Sequence, residues 1–316
     1  NPADPEMVGE VIKRAWRNSG TRVRRAAIAV PTSGVITRTV PMPANFSESD
    51  IETNIPFEAS QYIPYPIEEV YLDFEVKGVS QASSDMQDVM LVVTRKENVD
   101  AREAALKEAG LIPIVVDVEA YALENTFRLL MDTLPRPSEG GPLSLSKARE
   151  SLTALVDVGA TITNLYILQG ERVIFTREQG FGCDQLTVRI AETYGLPREQ
   201  AEQAKRSGQV ADDFAATVLE PFKQMLAEQI GHGLQFFFSS DQFASGRYTV
   251  DSIVLIGGGA MIVGLDRVVA DVLGITTVVA NPFKNMGSAA KVNSSALLRD
   301  APLLAVAGGL AMRSFG

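Results

Sequence analysis

The decapeptide ALVDVGATIT, residues 154–163, combines an apolar strand, an aspartate, a glycine turn and the start of a second strand. A glycine turn lets backbone N–H groups approach an anion closely, hydroxyls add donors, and a carboxylate can hold a hydrated Mg²⁺. An ordinary polar β-hairpin turn would have the same pattern, so both interpretations stay open. The candidate phosphate-binding residues are Asp157, Gly159, Ala160, Thr161 and Thr163.

A second glycine turn lies in VLIGGGA, residues 254–260, where a predicted strand ends and a helix begins. Gly257, Gly258 and Gly259 would leave a flat surface for an adenosine, and a helix N-terminus favours phosphate. The alternative is a strand-to-helix turn without a ligand. The pattern is not a dinucleotide-binding fingerprint, because Ile262 stands at the last glycine position, and no Gly-Lys-Ser/Thr follows as in a Walker A loop. Two such turns in one chain favour a nucleotide site.

The apolar periodicity predicts a mixed α/β chain. Predicted strands are 26–30, 35–40, 70–76, 89–94, 113–118, 151–158, 164–168, 172–177, 252–256 and 276–279. The first predicted helix begins at Asp4-Pro5. The second covers 47–62, where Ser47 and Asp50 resemble a capping box and Pro56 should cause a kink. Further predicted helices cover 99–111, 120–131, 184–194, 198–206, 212–240 and 302–312, and one more follows the glycine turn. Residues 134–142, rich in proline and glycine, are the predicted domain boundary. Three strands, then helices, then a strand and a glycine turn are typical of one half of an actin-type fold.

Composition limits the class of partner. The chain has 316 residues, of which 46% are hydrophobic, and a formal net charge of −10. An acidic surface repels phosphate backbones, so nucleic acid is not an expected partner. One basic segment departs from this trend, and either a solvated helix face or an anionic membrane surface would explain it. Its residues are Lys13, Arg14, Arg17, Arg22, Arg24 and Arg25.

Cysteine and histidine are almost absent. Cys183 and His232 are the only residues of their kinds, which excludes a disulfide framework and a His/Cys metal site. No apolar run approaches the roughly 18 residues that span a bilayer, and no signal peptide opens the chain. We therefore expect a cytoplasmic protein that reaches a membrane only through a partner.

Four short motifs in order, DVGATIT, GFG, AEQAK and LIGGGA, resemble the superfamily of actin, the sugar kinases and the heat-shock chaperones. More narrowly, the chain is similar to the FtsA and type IV pilus PilM families. The strings that carry this resemblance are ASQYIPYPIEEVYLDFEV (59–76), VTRKENVDAREAALKEAGL (93–111), VVDVEAYALENTF (115–127) and VANPFKNM (279–286). These strings are spread between residues 59 and 286.

The resemblance implies a two-lobed, actin-like ATPase fold of the α/β class, with an FtsA-type small domain inserted in the first lobe. The implied divisions are 1–20 and 88–134 for the first lobe (1A), 21–87 for the inserted domain (1C), 135–149 for a linker, 150–300 for the second lobe (2A/2B), and 301–316 for a helix returning to the first lobe. The family pattern opens with an earlier phosphate turn, which does not precede Pro5 here. We therefore expect a first lobe without its leading strands, and weak or no ATP binding by this chain.

The resemblance also implies roles for single residues. Asp157 to Thr163 would form the second phosphate turn, with Asp157 holding Mg²⁺ through water, and Gly257, Gly258, Gly259 and Met261 would line the adenosine pocket. Glu202 and Lys205 would contact ribose or base, although a plain helical ion pair explains them nearly as well. Asp117, or less favourably Glu119, would lie near the attacking water as the catalytic residue. A helix N-cap is an equal alternative for Asp117.

The family's partner is the short cytoplasmic N-terminal tail of the membrane protein PilN. We expect this peptide at Tyr62, Ile63, Pro64 and Tyr65, because tyrosine and proline pack an extended chain with little loss of entropy. A hydrophobic corner that fills the small domain's own core is the alternative. The resemblance implies an ATP-binding scaffold at the inner membrane that links the pilus machine to its motor ATPases, with little or no ATP hydrolysis.

Two rival functions remain at this stage. A small-molecule kinase of the same superfamily would need a catalytic base facing a sugar-sized cleft, and no second carboxylate is clearly placed for that. An FtsA-like division scaffold would end in a linker and an amphipathic membrane helix. The sequence here ends at Met312–Gly316, directly after the last predicted helix, and this counts against the second rival.

Overall fold

A computed structural model describes residues 4–134, 150–208, 210–244, 246, 248–287 and 292–313. The contacts divide the described residues into two compact units, residues 4–119 and the described part of 120–313. The elements of the first unit are α1 (Pro5–Ser19), β1 (Arg25–Val30), β2 (Val35–Pro43), α2 (Glu48–Ala59), β3 (Val70–Val79), β4 (Met86–Arg95), α3 (Lys96–Glu108) and β5 (Ile112–Val118).

The first unit contains two sheets. β1 and β5 pair in parallel, and α1 packs on α3 so closely that a Cβ on Gly9 would lie 2.6 Å from Cβ of Glu108. α1 starts where predicted, since the Asp4 carboxylate accepts the N–H of Met7 at 3.0 Å. It ends at Gly20, whose φ of 67° suits a glycine.

The inserted sheet has its own core. β2, β4 and β3 form an antiparallel sheet in that order, and α2 covers it with Ile51 and Ile55. The predicted capping box of Ser47 and Asp50 is present. α2 continues through Pro56 and ends at Ala59, because its buried apolar face keeps the last turn against the sheet.

The second unit begins with α4 (Glu119–Met131), whose first residue lies at the boundary. Its elements are β6 (Glu150–Val158), β7 (Thr163–Gln169), β8 (Arg172–Gln179), α5 (Asp184–Tyr194), α6 (Arg198–Ser207), α7 (Glu220–Ser239), β9 (Tyr248–Ile256), α8 (Leu265–Leu273), β10 (Thr276–Val279), α9 (Ser294–Asp300) and α10 (Ala305–Ala311). The sheet order is β10-β9-β6-β7-β8. β6, β7 and β8 are antiparallel as predicted, while β9 and β10 continue the sheet in parallel.

Three helical predictions needed correction. The predicted helix 212–240 is a π turn, Ala215–Leu219, followed by α7, because Pro221 has no N–H for the regular pattern. The predicted helix 302–312 is a 3₁₀ turn, Ala301–Leu304, followed by α10. α9 was not predicted, although Asn293 caps it by accepting the N–H of Ala296 at 3.0 Å.

The domain division stays a prediction. The predicted linker 135–149 lies outside the described residues. α4 was assigned to the first lobe from sequence, whereas the contacts group it with the second unit. Within that unit α4 packs on α10: the Thr126 hydroxyl donates to the carbonyl of Ala305 at 2.5 Å.

None of the helices that the structure describes combines the length and apolar content needed to cross a bilayer.

The contact between α4 and α10 predicts that alanine substitutions at two adjacent glycines of α10 change the free energy of unfolding in opposite directions. A Cβ on Gly309 would overlap the carbonyl oxygen of Ala122, whereas a Cβ on Gly308 would lie 3.5 Å from the ring of Phe283. We expect Gly309→Ala to lower the free energy of unfolding by roughly 1–3 kcal/mol through overpacking. Gly308→Ala should be neutral or stabilising by up to about 1 kcal/mol, since alanine favours helix. Denaturant titration of both variants tests this, and equal stabilities would contradict the contact.

Candidate functional site

The two glycine turns follow the neighbouring strands β6 and β9, at the same end of one sheet. β6 is paired in register with both neighbours, so that Asp157 lies opposite Ile256 of β9 and Asn164 of β7. Gly257, the first residue after β9, has a φ of 81°, and a Cβ there would overlap Oδ1 of Asp157. Only glycine therefore fits between the end of β9 and the Asp157 carboxylate.

A third turn packs under these two. A Cβ on Gly182 would lie 2.5 Å from the carbonyl oxygen of Ala160, and one on Gly259 would overlap the Val158 side chain. The N–H of Cys183 donates to the carbonyl of Gly159 at 3.0 Å, and the N–H of Asp184 donates to the carbonyl of Ala160 at 2.7 Å. The GFG segment at the start of α5 thus holds the Asp–Gly turn. Sequence reasoning noted GFG as a motif but did not assign it this role.

Asp157 is the desolvated carboxylate of the site. Burial raises its pKa above the ordinary range. No cluster of three or more His, Cys, Asp or Glu side chains that could hold a metal occurs in the part of the chain that the structure describes. Mg²⁺ commonly needs only one or two carboxylates beside water and phosphate oxygens. The partly buried Asp157 suits that water-mediated role, because a nearby cation would offset its lost hydration.

The residues after Asp157 divide into exposed and structural ones. Ala160 and Thr161 are exposed at the tip of the turn, and Gly159 uses its N–H to bond the carbonyl of Ile162 at 2.9 Å. Thr163 is buried, and its hydroxyl donates to the carbonyl of Phe181 at 2.7 Å. The expectation that Thr163 contacts phosphate is therefore corrected: its hydroxyl ties β7 to the GFG segment.

A cavity of about 750 Å³ adjoins the turn. Its lining residues come from the Asp–Gly turn, the start of α5 and one side of α6: Ala160, Asp184, Arg198, Glu199, Glu202, Gln203, Lys205 and Arg206. Glu202 and Lys205 thus line the same cavity as Ala160, and their contact with ribose or base stays a prediction. The lining includes neither Asp157 nor any of the residues predicted for the adenosine pocket, Gly257, Gly258, Gly259 and Met261. Met261 ends the 3₁₀ turn Gly259–Met261 and is 37% exposed.

Glu202 and Lys205 form a cross-linked pair. Lys205 Nζ lies 2.6 Å from Glu202 Oε2 and donates to the Thr187 hydroxyl at 2.7 Å, while Thr187 donates to Glu202 at 2.8 Å. Desolvation would raise the pKa of Glu202, but hydrogen bonds from Lys205, Thr187 and Arg206 outweigh it and lower the pKa to about 2. Glu202 and Lys205 therefore form an ion pair and also line the cavity, so their charges are held in place before a ligand enters.

Asp117, the candidate catalytic residue, belongs to the first unit. It lies near the end of β5, is 5% exposed, and its Oδ1 accepts the N–H of Val118 at 2.7 Å. Glu119, the second choice, interacts with the Arg102 guanidinium. The catalytic role of either residue stays a prediction.

The four residues predicted to bind the peptide, Tyr62 to Tyr65, include both exposed and buried side chains. Tyr62 and Tyr65 are 44% and 39% exposed, and Pro64 is exposed too. Arg95 lies over the Tyr65 ring, 5.2 Å from its centroid. Ile63 is 8% exposed and joins the core of the inserted sheet, so its assignment to a peptide contact is corrected. Tyr62 and Tyr65 are too exposed to fill the core of the inserted domain, which was the alternative interpretation.

Comparison with known proteins identifies relatives over the whole chain. The model of the family described as type IV pilus assembly protein PilM matches residues 1–315. A solved PilM-PilN type IV pilus biogenesis complex matches with a TM-score of 0.72 and 27% identity, covering 98% of this chain and 85% of that one. The ethanolamine utilization protein EutJ from Carboxydothermus hydrogenoformans matches with a TM-score of 0.55 and 14% identity, covering 98% and 75%. The predicted actin-like α/β fold is confirmed.

The desolvated carboxylate of Asp157 predicts a stabilising variant. Because the pKa of Asp157 is raised in the folded state, its charge destabilises the fold at neutral pH. Asp157→Asn should therefore raise Tm in the absence of nucleotide. The unfolded chain loses this proton first, so the gain should disappear below about pH 3.9, where both states are protonated.

Asp241→Asn is the matched control, since Asp241 is exposed and its substitution should change stability by less than about 0.5 kcal/mol. Melting curves of the three proteins between about pH 3 and pH 8 test the effect, since they extend below the pKa of aspartate in the unfolded chain. A lower Tm for Asp157→Asn at pH 7 would show that the carboxylate stabilises the fold.

Proposed function

The chain belongs to the type IV pilus assembly protein PilM family, and we propose that it is an actin-like, ATP-binding scaffold that captures the cytoplasmic N-terminal tail of PilN. In this proposal the protein works in the cytoplasm, peripheral to the inner membrane, and connects the pilus machine to its motor ATPases. The contact between Asp157 and Gly257 is the observation that carries the nucleotide part. The solved PilM-PilN complex supports the peptide part.

The nucleotide would lie at the carboxyl ends of β6 and β9 in the second unit's sheet. Ala160 and Thr161 offer exposed backbone at the turn, and Lys205 brings a cation to the neighbouring cavity. Glu202 holds Lys205 in place and would itself accept ribose hydroxyls. Bound Mg²⁺ would neutralise phosphate charge, and Asp157 would orient its water shell.

Little hydrolysis remains our expectation. Hydrolysis would need a positioned water, for which Asp117 is the candidate. A scaffold that uses ATP to fix its shape requires neither fast turnover nor a substrate pocket. This favours the scaffold over a small-molecule kinase.

The PilN tail would bind on the inserted domain at Tyr62, Pro64 and Tyr65. An extended peptide of about ten residues commonly reaches micromolar affinity, about −8 kcal/mol, mostly through one or two anchors. Exposed tyrosine rings beside a proline offer such anchors. The Arg95 guanidinium over Tyr65 would keep that ring in one orientation before the peptide arrives.

Removal of the Asp157 carboxylate should weaken nucleotide binding. We expect Asp157→Ala to lower the affinity for a fluorescent ATP analogue at least tenfold in Mg²⁺, or about 1.4 kcal/mol. EDTA should remove most of the difference between the variant and wild type, because the carboxylate acts through the ion. Asp241→Ala serves as control. Identical titrations of wild type and Asp157→Ala would remove Asp157 from the site, and no binding at millimolar nucleotide would contradict ATP binding by this chain.

Substitution of the exposed tyrosines should separate binding from folding. Tyr62→Ala or Tyr65→Ala should reduce the affinity for a labelled PilN tail about tenfold or more with little change in Tm. The measurement is fluorescence polarization beside thermal melting.

Two variants of the same domain act as controls. Tyr71→Ala removes a ring of similar exposure on β3, bonded to Asp100 at 3.0 Å, and should leave peptide affinity unchanged. Ile63→Ala should instead lower stability by roughly 2–5 kcal/mol, because it opens the core. Unchanged affinity in folded Tyr62→Ala and Tyr65→Ala proteins would place the peptide elsewhere.

A further inference from the structure

The inserted sheet has two edges, and they differ in how they are protected. Among the described residues β3 pairs with β4 alone, so its other side forms one edge of the sheet. β2 forms the opposite edge and carries Pro41 and Pro43, which lack the N–H that a further strand would need. The ten residues of β3 include no proline. An edge strand without such protection is able to pair with another chain.

One hydrogen bond shows which backbone groups of β3 face this edge. The N–H of Phe74 donates to the Asp73 carboxylate at 2.9 Å, so it is not directed towards β4. Because backbone groups alternate in direction along an antiparallel strand, Leu72 and Val76 present their N–H and C=O groups to the same edge. An added strand would pair with these residues and release the Asp73 carboxylate.

Apolar side chains of β3 are exposed on the face that the rest of the sheet buries. Val40 of β2 and Val89 of β4 are 1% and 0% exposed, whereas Val76, opposite Val89, is 40% exposed. In the next row across the sheet, Met42 of β2 is 2% exposed and Val79 of β3 is 67% exposed. A further strand with apolar residues on this face would remove both valines from water.

The opposite face of β3 is acidic. Asp73 and Glu75 alternate with the core-facing residues of β3, and Asp88 of β4 lies on their side of the sheet. Lys77 is paired with Glu75 at 2.6 Å, and residues 39–76 contain no lysine or arginine. The face therefore keeps a net negative charge. This charge favours a basic segment and opposes pairing with a second copy of the same strand.

This surface is separate from the residues proposed to hold the PilN tail. The Tyr65 ring lies beside Arg95, and Arg95 pairs with Val70, the first residue of β3. Val76 is six residues further along the strand, which is about 20 Å at the usual rise of a β-strand. A segment that covers Val76 and Val79 therefore requires no contact with Tyr65.

We propose that the free edge of β3 accepts an extended segment of a partner protein as a fourth strand, in which basic and apolar residues alternate. The backbone of this segment would hydrogen-bond to the outward groups of β3. Its apolar side chains would cover Val76 and Val79, while its basic side chains would face Asp73 and Glu75. Backbone pairing would supply affinity, and the two unlike faces of β3 would supply specificity.

Peptides of equal composition test this pairing. The probe is a labelled octapeptide that alternates lysine and valine, and its control has the same lysines and valines in two blocks. In fluorescence polarization with the full chain, the alternating probe should bind at least about tenfold more tightly, because only alternation places each kind of side chain on its own face. A probe that alternates glutamate and valine should not bind, since its charges would face the acidic side of β3.

Backbone methylation distinguishes an added strand from a side-chain contact. Alternate N–H groups of an extended peptide point to opposite sides, so only one set faces β3. N-methylation of two lysines, or of two valines, removes donors from one set at a time. One methylated probe should bind about tenfold or more weakly, because it loses hydrogen bonds to β3, and the other should bind like the parent.

Variants of the chain locate the binding surface. Val76→Pro removes an outward N–H but leaves the pairing with β4 in place, and it should weaken binding of the alternating probe at least about tenfold. Asp73→Lys with Glu75→Lys should have a similar effect, because it repels the lysines of the probe. The matched control, Glu192→Lys with Asp271→Lys, reverses two exposed carboxylates of the second unit and has the same net charge. It should retain the binding.

Four outcomes would overturn the proposal. Equal binding of the alternating and block probes would mean that only composition matters, and equal losses from both methylated probes would exclude an added strand. Loss of probe binding in Tyr62→Ala would assign the probe to the surface proposed for the PilN tail. A dimer of the free chain that Val76→Pro dissociates in analytical ultracentrifugation would assign the edge to a second copy. Thermal melting identifies any variant that fails to fold, and the peptide comparisons on the unmodified chain do not depend on such a variant.

Discussion

The candidate site depends on the close approach of one carboxylate and one glycine. Asp157 ends a strand that is hydrogen-bonded on both sides, so its position is set by the register of the whole sheet. Gly257 leaves the neighbouring strand at a φ that suits glycine and passes where a side chain would overlap that carboxylate. The sheet therefore holds the desolvated Asp157 carboxylate at the end of a strand, next to the exposed backbone of the Asp–Gly turn. A shift in register would separate the two turns and remove the site.

The surroundings of this contact show two kinds of preorganisation. Thr163 and the backbone of Cys183 are already bonded to neighbouring turns, and they hold the Asp–Gly turn without facing a ligand. Glu202 and Lys205 face the cavity but are already bonded to each other and to Thr187. A ligand entering the cavity would therefore meet charges that are held in place, and little side-chain entropy would be lost on binding.

The sequence predicted the local structure better than the contacts between distant segments. Alternating apolar residues located the strands, and the Asp4 cap and Ser47 box located two helix starts, because these signals lie within a few residues. The grouping of α4 with α10 depends on a contact between Gly309 and Ala122, far apart in the chain, which no local pattern contains. Ile63 was misassigned for a similar reason: beside prolines, periodicity does not show which side chain turns inward.

The three glycines of the site also bear on how such chains diverge. Gly182, Gly257 and Gly259 each exclude a side chain because another part of the fold occupies the space. Any descendant that keeps this sheet must keep them, whether or not it still binds a nucleotide. Their presence in a homologue would therefore record shared architecture, whereas loss of Asp157 or Lys205, which the packing tolerates more easily, would record loss of the ligand. Among relatives of this chain, the acidic and basic side chains are the better markers of retained chemistry.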